Sequence, residues 1–130
     1  MIFSESLKKY GDFQRVYKSG TSYANKYLVM YVLRRDTKRN RIGISVSKKV
    51  GNSVVRHRIT RLIRESYRLN ETKFDGGLDA VIIARPGAKG RNFFEIESAL
   101  LHLGRIHKIM KDTCMERSEE KNEENSDQTD

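Results

Sequence analysis

Three observations predict an α/β fold. Apolar residues recur at helical spacing in three separate stretches, β-branched and aromatic runs lie between them, and one of those runs is apolar without alternation, as in a strand covered on both faces. The predicted order is helix, strands, helix, strand, helix.

In "YGDFQRVYKSG", Phe13, Val16 and Tyr17 share a helical face and Ser19-Gly20 supplies the stop. "KYLVMYVLR" and "IGISVS" follow as strands, the second alternating Ile42, Ile44 and Val46 with Gly43, Ser45 and Ser47. The polar link "RDTKRNR" between them predicts a hairpin. Period two over 27–34 puts Tyr27, Val29 and Tyr31 on one face, where Phe13 and Tyr17 of the first helix can cross them. Buried tyrosine hydroxyls need partners or water, so an aromatic sheet face beside the small residues Gly43, Ser45 and Ser47 suits a shallow groove for stacking unpaired bases.

Asn52 or Ser53 is placed to cap a helix over "VVRHRITRLIRESYR", residues 54–68. At 100° per residue, Val55, Ile59, Leu62, Ile63 and Ser66 form one side, with His57, Arg58, Arg61, Arg64 and Arg68 spread over the other. Such a helix faces a core and a polyanion at once. "DAVIIARPG" is the unalternating strand, closed by Pro86-Gly87. Asn92 and Glu95 then have capping-box spacing ahead of Phe93, Ile96, Leu100, Leu103 and Met110.

The 130 residues suit one domain, and 37% hydrophobic content allows a modest core. The net charge of +9 is unevenly divided: residues 112–130 carry −6, leaving +15 on residues 1–111. The expected organisation is therefore a basic domain over 1–111 and an acidic, disordered tail over 112–130. From Arg34 to Arg68, twelve Lys or Arg stand against Asp36 and Glu65. Arginine's planar fork suits phosphate better than mere solubility requires, so nucleic acid is the expected partner. The lone Cys114 has no internal disulfide partner, and no apolar run reaches signal-peptide or membrane-span length, which points to the cytoplasm and to no membrane partner.

The nine acids of residues 1–111 are scattered, which disfavours a magnesium nuclease site. His102 and His107 are five apart rather than four, and no Walker spacing is present. No catalytic residue, metal ligand or small-molecule substrate is expected. A structured-RNA-binding ribosomal or assembly protein and a stand-alone nuclease remain as rivals.

The segments "DFQRVYKSG", "GISVSKKVGNSVVRHRITRLIRE" and "VIIARPGA", in this order and spacing, resemble the protein subunit of bacterial ribonuclease P over about residues 3–111. The resemblance implies an α/β sandwich of ribosomal-protein type, with about four strands and three helices in the order α-β-β-β-α-β-α and a left-handed β-α-β crossover. It also implies an accessory subunit of an endoribonuclease. In that family an RNA is the catalyst and uses magnesium to remove the 5′ leader of precursor tRNA, so the resemblance implies ribonuclease P RNA and precursor tRNA as partners and no tight cofactor on the protein. By position, Lys48, Lys49, Asn52, Arg56, His57, Arg58, Arg61, Arg64 and Arg68 would hold the catalytic RNA. Phe13, Tyr17, Val29, Tyr31, Ser45 and Lys48 would receive the single-stranded leader. His57 departs from the family, which usually has Asn between the two arginines. An imidazole gains a second donor on protonation, so RNA binding through His57 is expected to strengthen as pH falls. The tail is expected to be an inert solvated end, with folding back on the basic surface to compete with non-specific RNA as the weaker alternative.

Overall fold

The computed structural model describes residues 4–111; the tail expectations concern residues outside that range. The elements in order are β1 (Ser4–Ser6), α1 (Tyr10–Ser19), β2 (Thr21–Ala24), β3 (Leu28–Arg34), β4 (Asn40–Ser45), α2 (Ser53–Asn70), β5 (Leu78–Ala84) and α3 (Phe93–Ile106), with single 3-10 turns at Glu71–Lys73 and Pro86–Ala88. The sheet is five-stranded and mixed, one strand more than the resemblance implied, in the order β1-β4-β5-β3-β2. Three helices cover its two faces. No helix among the described residues is long and apolar enough to cross a membrane.

The expected hairpin between residues 27–34 and 42–47 does not form. β5 lies between those strands, antiparallel to β3 from Leu28↔Ala84 to Arg34↔Leu78 and parallel to β4 from Arg41↔Asp79 to Ser45↔Ile83. The physical reason is the apolar, unalternating character of β5: every residue but Ile83 is buried, so the strand gains most by being paired at both edges and covered on both faces. The hairpin that does form joins β2 and β3. β1, which pairs parallel with β4, precedes α1.

Each sheet face has its own apolar layer. Leu28, Met30, Val32, Ile42, Ala80 and Ile82 pack with Ile59, Ile63 and Tyr67 of α2 and with Ile96, Leu100 and Leu103 of α3. On the opposite face Val16 of α1 and Leu7 bury Val81. Between α2, β4 and β1, the buried Tyr67 hydroxyl meets Ser4 Oγ at 2.8 Å and accepts from Asn40 Nδ2 at 3.2 Å. The Asn40 side chain also donates to Asp75 O and accepts from Leu78 N, which fixes where β4 and β5 start. Buried amides and hydroxyls persist only when so satisfied.

α3 begins with the expected capping box, Asn92 accepting from Glu95 N while Glu95 accepts from Asn92 N. It stops before Met110, which the periodicity had placed on the helix. Lys108 adopts φ 60°, Ile109 N bonds back to Gly104 O, and Met110 bridges to Phe74. A Cβ on Gly104 would lie 2.6 Å from the Met110 sulfur, so the glycine makes room for this return.

His107 Nε2 lies 2.9 Å from Met30 O, and its ring meets the edge of Tyr23. Burial lowers its pKa from the ordinary 6.5, against the opposing pull of the Met30 hydrogen bond. The unfolded chain therefore takes up this proton first. Its contribution to stability is present above the unfolded value and is lost as pH falls through the lowered folded one. Denaturant titrations at pH 7.5 and 5 should show parent stability falling more than that of His107→Gln, whose amide can still donate to Met30 O. Equal losses would assign the acid sensitivity to another group.

Candidate nucleic-acid interface

α2 is held at its start by Asn52, whose side-chain oxygen accepts from Val55 N at 3.0 Å. Asn52, also expected as an RNA contact, is thus a helix cap and remains exposed. Ile59, Ile63 and Tyr67 lock one side of α2 into the core, while His57, Arg58, Arg61 and Arg64 stand exposed on the other. With Ser53, Val54, Leu62 and Glu65 they line a shallow open depression. Among the described residues Arg56, Arg58, Arg61 and Arg64 form no ion pair. Arg56 donates from Nε to Gly51 O and Arg58 from Nη1 to Arg91 O, both ties to backbone that leave the charge unneutralised. Lys48 and Lys49 are exposed in the turn leading to α2, where Val50 N bonds to Ser47 O and Val50 is buried. Arg68 differs from its neighbours: its guanidinium engages Glu65 through two hydrogen bonds, so it presents a paired charge.

On the opposite sheet face, Val29, Ile83 and Ser45 align as one row across β3, β5 and β4, and Tyr31, Val81 and Gly43 as the next. α1 crosses these strands. Its Tyr17 ring stands edge-on to Tyr31 with centroids 5.0 Å apart, and Phe13 lies 6.4 Å from Tyr17. Phe13, Tyr17, Val29, Tyr31 and Ser45 are all half-buried, so the structure brings together a groove with aromatic walls and a floor to which Ile83 also contributes. Burial, and then neighbouring Tyr31, raises the Tyr17 pKa, so its hydroxyl stays neutral and can donate. Gly43 is essential to this shape, since a Cβ there would sit 2.7 Å from the Phe13 ring. Tyr27, expected on the same face, turns to the other one and packs with the α2–α3 layer, because strand alternation begins only at Leu28.

The charge count of residues 34–68 overstated the free charge. Asp79, wholly buried, accepts from Arg41 Nε and Nη2 at 2.9 and 2.7 Å and from Arg35 Nε at 2.6 Å. Arg41 reaches on to Asp12, which also holds Arg15 at 2.7 Å. Arg39 pairs with Glu5 and Arg34 with Asp75. The compensating acids come from β1, α1, β5 and the loop before β5, outside the window that was counted. Of the twelve cations between residues 34 and 68, those without an ion pair among the described residues are Lys38, Lys48, Lys49, Arg56, Arg58, Arg61 and Arg64, all but Lys38 on α2 or the turn before it. No group of three or more His, Cys, Asp or Glu among the described residues is arranged to hold a metal ion.

The family model Ribonuclease P matches residues 2–108. The chain belongs to the ribonuclease P protein family. The ribonuclease P protein component of Lachnoclostridium phytofermentans is 62% identical over 115 residues, which cover 88% of this chain and 99% of that protein. That of Clostridioides difficile is 48% identical over 77% of this chain and 89% of its own length. Among solved structures, the Staphylococcus aureus RNase P protein superposes with a TM-score of 0.76 at 38% identity, covering 83% of this chain and 99% of that one. The Thermotoga maritima RNase P protein gives 0.72 at 30% identity, over 78% and 96%. Membership makes the chain a ribonuclease P protein component, with ribonuclease P RNA as its partner and tRNA processing as its setting. Ile83 and the Asp79 ion cluster are parts of the site region that sequence reasoning missed. Their signal was an aspartate inside an apolar strand, which ordinarily requires buried partners.

Proposed function

We propose that the outer face of α2, with Lys48 and Lys49, holds ribonuclease P RNA, and that the groove between α1 and the sheet receives the single-stranded 5′ leader of precursor tRNA. The RNA carries out magnesium-dependent endonucleolytic cleavage, and the protein supplies no catalytic residue. The observation that carries this reading is a set of four arginines without ion pairs among the described residues, on a helix whose other side is fixed in the core. Positive charge displayed on a rigid element is suited to phosphates at set spacing. The groove adds aromatic rings on which unpaired bases stack irrespective of sequence.

The test is cleavage of a precursor tRNA in magnesium at near-physiological salt, with protein alone, with a bacterial ribonuclease P RNA alone, and with both. Stimulated cleavage at the mature 5′ end by the combination is expected; none would defeat the reading. The Gly43→Ala variant addresses the groove. Its methyl must displace Phe13, and affinity for a leader-bearing precursor should drop about fivefold, near the low end of base–aromatic stacking. Affinity for mature tRNA should hold. An equal drop for both ligands would place the leader elsewhere.

A further inference from the structure

A second aromatic and cationic surface lies where the β2–β3 turn meets the start of α3. Tyr27 carries two cations over its ring, Arg91 at 5.1 Å and Lys26 at 5.4 Å from the centroid. Beside them Phe94, in the first turn of α3, is 73% exposed, the ring standing edge-on to Phe93. Ala24, Asn25, Asn92, Ser98 and His102 complete an open groove between the turn and the helix. The groove is pre-formed. Asn25 donates to Ala99 O and meets His102 Nδ1, while its oxygen accepts from Tyr27 N and Leu28 N. Its one acid, Glu95, is engaged by Asn92 N and, at 3.5 Å, by Arg91.

We propose that this groove docks an unpaired nucleotide of ribonuclease P RNA, its base stacked on Phe94 and its phosphate met by Lys26 and Arg91. The inference rests on the reading of α2 given above and extends that interface. Arg58 of α2 donates to Arg91 O, so the two surfaces are continuous. The groove belongs to the α2–α3 side of the sheet, with Tyr27 packed against that layer, whereas the leader groove lies on the α1 side. That separation selects the catalytic RNA over the leader as occupant. A large exposed phenyl ring beside cations suits a base better than an apolar protein surface, because stacking on an aromatic and a guanidinium plane is how single-stranded RNA is held. Interfaces between proteins instead bury charge-depleted cores.

The chain contains no tryptophan, so Phe94→Trp installs a unique fluorophore at the exposed position. Affinity for ribonuclease P RNA is measured for the parent, Phe94→Ala, Phe94→Trp and Arg61→Ala. Phe94→Ala is expected to bind about tenfold more weakly, within the range of loss of one stacked base, with its salt slope unchanged. Phe94→Trp should bind like the parent and be quenched by the RNA but not by a leader oligonucleotide. Weakening by Arg61→Ala without weakening by Phe94→Ala would overturn the groove and leave the α2 reading standing. Weakening by neither would remove both. Quenching by the leader oligonucleotide alone would reassign the groove to substrate and overturn the proposal.

Discussion

The double substitution Arg61→Ala, Arg64→Ala is expected to flatten the salt dependence of ribonuclease P RNA binding by about 1.4 to 1.8 in slope, at about 0.7 to 0.9 per phosphate lost. Affinity at about 0.15 M salt should fall about tenfold, each exposed and screened contact being worth about 0.7 kcal/mol. Stability should not fall. Both side chains are exposed and form no ion pair among the described residues, and alanine is at least as good a helix former as arginine. The fold enters the prediction through Ile59, Ile63 and Tyr67, which hold α2 without help from its outer face. Arg68→Ala should cost less, since that charge is already shared with Glu65, whose carboxyl is held below its ordinary pKa by the Arg68 hydrogen bonds. Titrations of labelled RNA at four or more salt concentrations read both slope and affinity. An unchanged slope for the double variant would take these arginines out of the interface.

Local signals in the sequence held except at element ends, as at Met110 and Tyr27, and non-local ones did not. α2 and α3 were legible because amphipathic spacing and caps act within four residues, as Asn52 and the Asn92–Glu95 pair show. β1 and β2 left almost no trace, being three and four residues long with mostly exposed side chains. Pairing order was illegible for a different reason. The link between residues 34 and 40 is long enough for a hairpin, and only the apolar demand of β5, arriving after α2, separates β3 from β4. Charge followed the same rule: Arg35 and Arg41 look free because Asp79 is 44 and 38 residues away. The exposed placement of Arg58, Arg61 and Arg64 on α2 was legible since a helix face is settled by its own spacing. The groove aromatics were placed by the same two periodicities, except for Tyr27, one residue outside its strand.

Asp79→Ala is expected to cost about 3 kcal/mol, the low end for leaving buried charge without its counter-ion, or roughly 15 °C in melting temperature for a domain of this size. The low end applies because Arg35 and Arg41 are themselves 23% exposed and can turn toward water, whereas the Asp79 carboxylate is wholly enclosed. Adding Arg41→Leu should recover part of the loss, since it removes one of the two guanidiniums that Asp79→Ala strands and leaves only Arg35 without its counter-ion. The consequence for function follows from α1. Arg41 links Asp79 to Asp12, and Asp12 with Arg15 anchors the start of the helix whose Phe13 and Tyr17 wall the groove proposed for the leader. The Asp12 carboxyl is held below 3.8 by the Arg15 hydrogen bond and the Arg41 charge. Its share of the anchor is therefore complete above the unfolded carboxylate range and disappears only as pH falls through the lowered value. At neutral pH the milder Asp79→Asn should loosen α1 and weaken leader-bearing precursor more than ribonuclease P RNA, because α2 packs on the other face of the sheet. Calorimetry and paired affinity measurements decide it. A variant as stable as the parent, with both affinities intact, would mean that water neutralises these arginines as well as Asp79 does.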